Sequence, residues 1–391
     1  MTMLNKIKNK VISGKRLTET DALELFESDD IFTLGTLASY VAEKKNGKKA
    51  YFVRNRHINP TNICINRCRF CAFSRSKGQD GAYELTINEI IEKLRKGSEV
   101  RGKGQEAPSL NPHLTKGKHR GGKTPHSSLL TPHGLSEVHI VGGLHPDWPF
   151  EHYLKIISSI KKEFPRLHIK AFTAVEVDHM SKISGLGLYD TLLSLKKSGL
   201  CSMPGGGAEI LSPDIRNRLC PEKISGERWL EVIETAHKAG IRTNATMLYG
   251  HIEDYSHRID HLMKLRQLQD RTGGFQAFIP LAYHPKNTDI KGSYTSGLDD
   301  LKTVAISRLV LDNFDHIKAY WIMLGEKISQ LALKFGADDI DGTIIEEKIT
   351  HSAGGLTGEN HTAEQLIHLI RKAGKIPVER DSFYRPVKVY K

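Results

Sequence analysis

The chain has 391 residues, 39% of them hydrophobic, and a formal net charge of +12, so it can bury a substantial core in one large domain or two ordinary ones. No apolar run approaches the roughly 18 residues that a membrane-spanning helix needs, and no membrane partner is expected. The five cysteines are an odd number in a long chain, which argues against a disulfide framework. We therefore expect a cytoplasmic protein.

Strand-like and helical patterns alternate after a helical stretch of about fifty residues. Helices are predicted from Phe150 to Phe164 and from Gly226 to Ala239, where Gly240 is a natural C-cap. Apolar, β-branched runs recur at 57–63, 137–141, 167–173, 200–203, 241–248, 275–281, 316–323 and 339–345. These repeats predict an α/β fold, a TIM-type (βα)8 barrel over 51–350, with an N-terminal helical extension at 1–50 and a C-terminal extension at 351–391 that packs on the barrel.

Directly after the first predicted strand, Cys64, Cys68 and Cys71 form a CxxxCxxC motif. Thiolates bind soft metals and are the usual ligands of iron–sulfur clusters. Three of them can bind three irons of a cubane and leave the fourth iron open to a substrate. A structural zinc site, completed by a histidine, is the main alternative. Zinc sites usually draw on two cysteine pairs, whereas Cys201 and Cys220 are isolated.

A basic segment at 97–134 interrupts the barrel pattern. It holds six Lys or Arg against two Glu, together with four histidines, four prolines and no aromatic residue, a composition that predicts a disordered insertion. Residues Gly117 to Thr124 match the phosphate-loop pattern GxxxxGK[ST]. That pattern needs a buried strand before it and a helix after it. Neighbouring prolines provide neither, so we predict a solvated loop, and nucleic acid is not expected as a partner.

Glycines and carboxylates follow the next three predicted strands. Gly142 and Gly143 end the second strand, Glu176 follows the third, and Gly206 and Glu209 follow the fourth. Strand ends of such a barrel meet at one mouth, where active sites lie. Glycine lets backbone approach a ligand closely because it has no side chain. We therefore expect these residues and the cysteines to share one pocket.

The wider sequence resembles the aminodeoxyfutalosine synthase family of the radical S-adenosylmethionine (SAM) superfamily over nearly the whole chain. Beyond the cysteine motif, six blocks carry the resemblance: Asn55–Cys64, Glu137–Pro146, His168–Glu176, Pro204–Glu209, Thr243–His251 and Ile317–Gly325. It implies a [4Fe-4S] cluster on the three cysteines and SAM as co-substrate. It further implies that the glycine pair contacts the methionyl amino group of SAM and that Phe70 lies beside the adenine. Glu176 is a candidate acceptor for the ribose hydroxyls, and a solvated loop carboxylate is the alternative.

The reaction implied by the resemblance is adenosyl transfer to 3-[(1-carboxyvinyl)oxy]benzoate. A one-electron reductant, flavodoxin- or ferredoxin-like, lets the cluster cleave SAM to methionine and the 5'-deoxyadenosyl radical. Addition to the enol-ether double bond, aryl migration and loss of bicarbonate or carbon dioxide then give 6-amino-6-deoxyfutalosine of menaquinone biosynthesis. The candidates for binding the two carboxylates are Arg56, His57, Arg69 and Arg75, and the candidate catalytic side chains are His145, Tyr249, His251 and His284.

Two other readings of the sequence stay open. A related radical SAM enzyme, dehypoxanthine futalosine cyclase or a deazaflavin synthase subunit, would share the cysteine motif but not the blocks Pro204–Glu209 and Ala171–Glu176. A zinc-dependent nucleic-acid-binding protein would hold zinc on the cysteines and bind RNA through the basic segment.

Overall fold

The computed structural model describes residues 3–96, 134–358 and 360–391. The predicted insertion therefore lies outside the described residues except for Gly134, and so does the phosphate-loop-like stretch. Within the described part of the chain, no helix is long and apolar enough to cross a membrane.

The chain begins with helices α1 (Met3–Ile12), α2 (Glu19–Glu27) and α3 (Ile31–Asn46). Strands β1 (Lys49–Val53) and β2 (Asn55–Ile58) follow as one extended run that Arg54 interrupts, and then helix α4 (Ile87–Arg95). Thr86 and Glu89 form a capping box that fixes the start of α4. The cysteine motif occupies the long loop between β2 and α4.

Strands and helices then alternate. In chain order they are β3 (Glu137–Ile140), α5 (Phe150–Glu163), β4 (His168–Ala171), α6 (Ala174–Ser184), α7 (Leu188–Ser198), β5 (Ser202–Met203), α8 (Pro213–Leu219), α9 (Gly226–Lys238), β6 (Arg242–Tyr249), α10 (Tyr255–Thr272), β7 (Phe275–Ala282), α11 (Gly297–Val310), β8 (His316–Ile317), α12 (Trp321–Ala332) and β9 (Asp339–Gly342). The end of the chain adds α13 (Ile349–Ser352), α14 (Ala363–Lys372), β10 (Ile376–Arg380) and β11 (Pro386–Val389).

Strands β2 to β8 form a parallel sheet in sequence order. Single parallel bridges, Lys318 with Asp339 and Arg56 with Ile345, connect the segment containing β9 to both edges of that sheet. The predicted (βα)8 barrel is thus confirmed, with an eighth strand that joins its neighbours by isolated bridges. Strand β1 lies in a second sheet of order β11-β10-β1-β9, so the C-terminal strands attach to the barrel through β1.

Side chains on the barrel strands alternate between the core and the interior, as the period of two requires. Val138 and Ile140 of β3 are fully buried in the apolar core between strands and helices, with Ile157 of α5. Burying each such side chain contributes about 1.5–3 kcal/mol. The intervening residues Glu137 and His139 face the barrel interior instead. The interior therefore presents charged and polar side chains together with apolar ones, and a ligand can bind there. The N-terminal helices α2 and α3 cover the outside of the barrel by packing on α10 and α11.

Candidate functional site

A cavity of about 320 Å³ lies inside the barrel, toward the carboxyl ends of the strands. Most of the residues singled out in the sequence contribute to its wall. They are His57, Cys64, Cys68, Phe70, Cys71, Gly142, Gly143, Glu176, Gly206, Glu209 and His284. The cavity thus brings the cysteine loop, the glycine pair and both carboxylates together.

Backbone hydrogen bonds hold the cysteine loop against the barrel. The amide of Cys64 donates to the carbonyl of Arg75 at 3.0 Å, and the amide of Cys71 donates to the carbonyl of Cys68 at 3.0 Å. The Cys64 sulfur accepts from the amide of Leu144 at 3.3 Å. All three cysteines are free thiols. Burial raises the pKa of Cys64, and it raises that of Cys68 to about 12. A bound metal would favour the thiolate form of these ligands, since metal binding to cysteine releases the thiol proton.

The donor set fits an iron–sulfur cluster better than a single zinc ion. Among the described residues, no three Cys, His, Asp or Glu side chains lie close enough together to bind one metal ion. A cubane assigns each thiolate to a different iron, so its ligands need not converge on one point. Three free thiols on the wall of one cavity meet that requirement.

The glycine pair fits beneath the cysteine loop with no space for a side chain. The amide of Gly143 donates to the carbonyl of Thr61 at 2.9 Å. A Cβ atom at Gly143 would lie 2.2 Å from the carbonyl oxygen of Ile63, and one at Gly142 would lie 3.1 Å from that of Thr61. The close approach that glycine permits here is therefore backbone to backbone, between the end of β3 and the loop that carries Cys64.

Glu176 is a buried carboxylate fixed by two backbone amides. Its side chain is part of the capping box that starts α6, where one oxygen accepts from the amide of Thr173 at 2.7 Å. The other oxygen accepts from the amide of Gly142 at 3.1 Å. Burial raises the pKa of Glu176 to about 7 despite these bonds. The side chain can thus both accept and donate hydrogen bonds near neutral pH.

Glu209 forms an ion pair with Lys223, which is not among the site residues predicted from the sequence. Its carboxylate lies 2.5 Å from the ammonium of Lys223, and that ammonium is 4.9 Å from the centre of the Phe70 ring. Burial alone would raise the pKa of Glu209, but the Lys223 charge holds it below the ordinary value. Because Glu209 is already paired, it is less free than Glu176 to bind a ligand.

The three arginine candidates do not line the cavity. The β2 alternation turns Arg56 outward, where its guanidinium donates to the carbonyls of Lys93 and Lys96 at the end of α4. Arg69 is exposed and donates to the carbonyl of Arg218 at 3.2 Å. Arg75 donates to carbonyls within its own loop. Nearness in sequence to the cysteines therefore did not place these side chains in the pocket.

Three of the four catalytic candidates also have other partners outside the cavity wall. His145 stacks on Trp148, with ring centres 4.7 Å apart. The hydroxyl of Tyr249 donates to Asp300 at 2.8 Å in the buried core. His251 lies 2.9 Å from the Glu253 carboxylate, with its side chain fully buried. These contacts stabilise the loops and the core.

His284, the fourth catalytic candidate, does line the cavity, as does His57. The Nε2 atom of His284 is 3.0 Å from the carbonyl of Met323, whereas its buried Nδ1 has no hydrogen-bond partner within the described residues. The Nε2 atom of His57 is likewise buried and has no partner there. Each ring thus presents a nitrogen that a ligand can satisfy.

Several charged residues of the cavity wall were missed in the sequence. Lys170 on β4, Lys318 just after β8, and Glu137 on β3 all lie inside the barrel. The signal was present, because a charged residue in or next to a buried strand must face the cavity rather than the apolar core.

Comparisons with known proteins agree with this site. Residues 128–265 match the Radical SAM superfamily model, and residues 272–391 match the CofH/MqnC C-terminal region model. An aminodeoxyfutalosine synthase of Thermus thermophilus is 42% identical, covering 98% of this chain and 96% of its own. A 5-amino-6-(D-ribitylamino)uracil–L-tyrosine 4-hydroxyphenyl transferase of Methanococcoides burtonii is 37% identical, covering 98% of this chain and 99% of its own.

Among solved structures, methylornithine synthase is similar with a TM-score of 0.70 and 18% identity, covering 95% of this chain and 97% of its own. That likeness supports the fold. The radical SAM superfamily implies a [4Fe-4S] cluster and SAM, and the three cysteines are suitable ligands. The full-length identity to an aminodeoxyfutalosine synthase shows that this chain belongs to that family of radical SAM enzymes.

Proposed function

We propose that the protein is an aminodeoxyfutalosine synthase, which transfers the adenosyl group of SAM to 3-[(1-carboxyvinyl)oxy]benzoate in menaquinone biosynthesis. The observation that carries this proposal is the 42% identity to such an enzyme over 98% of the chain. The cavity supports it, since one pocket contains the cysteine loop, the glycine pair and a buried carboxylate. We further propose a cytoplasmic location, because a reducing compartment keeps such thiols reduced.

The cluster would be held by Cys64, Cys68 and Cys71. When bound, it would supply the electron that cleaves SAM to methionine and a 5'-deoxyadenosyl radical. For SAM itself, we propose the wall that Phe70, Gly142, Gly143, Glu176, Gly206 and Glu209 form beside the cysteine loop. A flavodoxin- or ferredoxin-like protein would supply the electron to the cluster.

The remaining task of the protein is to position the two substrates and exclude water. Glu176 is 4% exposed and is held by two backbone amides, so it is a rigid hydrogen-bonding group. Rigid placement matters because radical addition requires the reacting carbons in near contact. A deep pocket inside the barrel would also shield a reactive carbon radical from solvent.

Anaerobic reconstitution with iron and sulfide, followed by SAM, dithionite and the enol ether, tests the proposal. We expect an adenine-containing adduct by mass spectrometry. Cys68→Ala should abolish its formation, whereas Cys201→Ala, outside the cysteine motif, should not. Turnover by Cys68→Ala would contradict the assignment of the cluster ligands. A wild-type protein that cleaves SAM but forms no adduct would contradict the proposed substrate.

The second candidate function is 4-hydroxyphenyl transfer from tyrosine to 5-amino-6-(D-ribitylamino)uracil. It is supported by the 37% identity of the Methanococcoides burtonii relative, which matches this chain over almost its full length. The same reconstituted protein distinguishes the two. Incubation with tyrosine and the uracil would release 5'-deoxyadenosine as a separate product, whereas the first reaction retains the adenosyl group in its product.

A further inference from the structure

The same four residues, His-Ile-Lys-Ala, occur twice in the barrel, at His168–Ala171 on β4 and at His316–Ala319 on and after β8. Four positions separate these strands around a barrel of eight, so they face each other across the interior. Lys170 and Lys318 are 3% and 2% exposed, and both line the cavity. Two ammonium groups thus project into the same space from opposite walls.

The two lysines differ in how fully their charge is satisfied. The Nζ atom of Lys170 lies 2.8 Å from Glu137, a short charge-assisted hydrogen bond. In the described part of the chain, the charged partner of Lys318 is Asp341, at 3.5 Å. That separation is too long for a strong hydrogen bond. A buried ammonium with so weak a contact has unused capacity for an anion.

Two histidines on the same cavity wall as Lys318 also have unused hydrogen-bonding capacity. His57 on β2 and His139 on β3 are register partners, with ring centres 4.6 Å apart. The Nε2 atoms of both are buried and have no hydrogen-bond partner among the described residues. Burial lowers the pKa of each ring, so both are neutral at pH 7 and each carries one N–H group. Only the segment containing β9 separates β8 from β2.

We propose that this end of the cavity is a carboxylate-binding subsite, in which Lys318 supplies the charge and His57 and His139 supply hydrogen bonds. The ligand class is an aromatic carboxylate, and its identity as the benzoate of the enol ether rests on the proposed function above. The arginines near the cysteine motif have no part in the subsite.

Three of the carboxylates on the wall already have a basic partner other than Lys318. Glu137 is neutralised by Lys170, and Glu209 by Lys223. Glu347 accepts from the amide of Thr350 and lies 3.1 Å from His351. Asp341 is the carboxylate that competes for Lys318.

An apolar surface adjoins the proposed subsite. Ile279 and Leu281 of β7 and Met323 of α12 line the cavity beside Lys318. A benzene ring buried against such side chains gains hydrophobic free energy in proportion to the area it covers. A cationic group next to an apolar wall matches an arene that carries a carboxylate.

A pair of ligands tests the subsite without depending on how any variant folds. Calorimetric titration of the reconstituted wild-type protein with 3-methoxybenzoate and 3-methoxybenzamide compares a carboxylate with its neutral analogue. We expect roughly 10- to 100-fold tighter binding of the carboxylate, the range of a charge-assisted hydrogen bond in a buried site. Equal affinity for both compounds would overturn the proposal.

Two variants then assign the preference to Lys318. Lys318→Met should abolish the preference for the carboxylate ligand. The double variant Lys318→Met, Asp341→Asn should do the same, and it avoids leaving the buried Asp341 carboxylate without a partner. The backbone φ at Asp341 is +72°, and asparagine tolerates this left-handed conformation better than most residues. Lys8→Met, on the exposed side of α1, is the matched control and should keep the preference. Iron content and thermal unfolding report whether each variant is intact.

A folded double variant that still prefers the carboxylate would refute the role of Lys318. A different result would contradict the proposed function and not the subsite. In that result, the wild-type protein would prefer the carboxylate yet form no adduct from the enol ether.

Discussion

Replacing Gly143 by alanine should displace the cysteine loop and cost the protein its cluster. Gly143 ends β3, and its amide donates to the carbonyl of Thr61 at 2.9 Å. An added Cβ would lie 2.2 Å from the carbonyl oxygen of Ile63, 2.7 Å from its carbonyl carbon and 3.0 Å from the Cβ of Cys64. All three atoms belong to the loop that presents the first thiol.

The size of the displacement follows from these distances. An ordinary contact begins near 3.4 Å, so one of the two backbones must move by roughly 1 Å. The clashing atoms are backbone rather than the end of a flexible side chain, so rotation cannot relieve the overlap. A misplacement of about 1 Å can reduce a rate by about 100-fold even far from the reacting atoms. We expect at least that loss of SAM cleavage, together with lower iron content.

The assay compares iron content, charge-transfer absorption and 5'-deoxyadenosine formation after anaerobic reconstitution. Gly292→Ala is the control, because an added Cβ there meets no atom within 4 Å and the substitution should be neutral. Gly142→Ala should be intermediate, since its Cβ would lie 3.1 Å from the Thr61 oxygen. A Gly143→Ala protein with wild-type iron content and turnover would show that the loop does not contact β3 in this way.

Three further predictions concern the surroundings of the site. Arg308→Leu should lower the free energy of unfolding by about 3–5 kcal/mol in urea titrations, because it removes the permanent countercharge of the buried Asp338 carboxylate. In the wild-type protein that carboxylate is 2.5 Å from the Arg308 guanidinium, and His316, also at 2.5 Å, would be its remaining ring partner. The hydrogen bond with Glu347 raises the pKa of His351 from 6.5 to about 9. The protonated ring therefore stabilises the fold fully below about pH 6.5, and that stabilisation disappears as the pH rises through 9. The free energy of unfolding, measured at about pH 6.5 and above pH 9, should differ less between the two pH values in His351→Gln than in the wild-type protein. Arg56→Met should cost about 1–3 kcal/mol of stability by losing the carbonyls at the end of α4, yet leave the KM for the enol ether unchanged, and a raised KM would restore Arg56 as a substrate ligand.

The barrel could be predicted because short runs with apolar, β-branched residues alternate with helical patterns along most of the chain. The predicted runs at 137–141 and 275–281 differ by one residue from Glu137–Ile140 and Phe275–Ala282. Helix α5 was also recognised, since Pro149 precedes its first turn and apolar residues recur on one face. Such patterns are local, and only a few topologies are compatible with the order of strands and helices that they predict.

The inner wall was harder to predict because it depends on which face of each strand looks inward. Arg56 and His57 are neighbours and were ranked as equal candidates, yet the strand period sends them to opposite sides. Lys318 lies 247 positions after Cys71 in the sequence and meets the same cavity only through barrel closure. The contacts of the glycine pair likewise depend on where the cysteine loop crosses β3. These positions could not be predicted from the sequence because they depend on how the strands pair in three dimensions.

Strand β1 has a consequence for any shortened version of this protein. It lies between β9 and β10, and the residues that pair with it come from 376–379 and 339–342. Removing the last sixteen residues would uncover one side of β1 and leave its amide and carbonyl groups unpaired. An exposed strand edge of this kind recruits strands from other molecules. We therefore expect β10 to protect this edge of β1 from pairing with another molecule, although β10 lies outside the strands of the barrel itself.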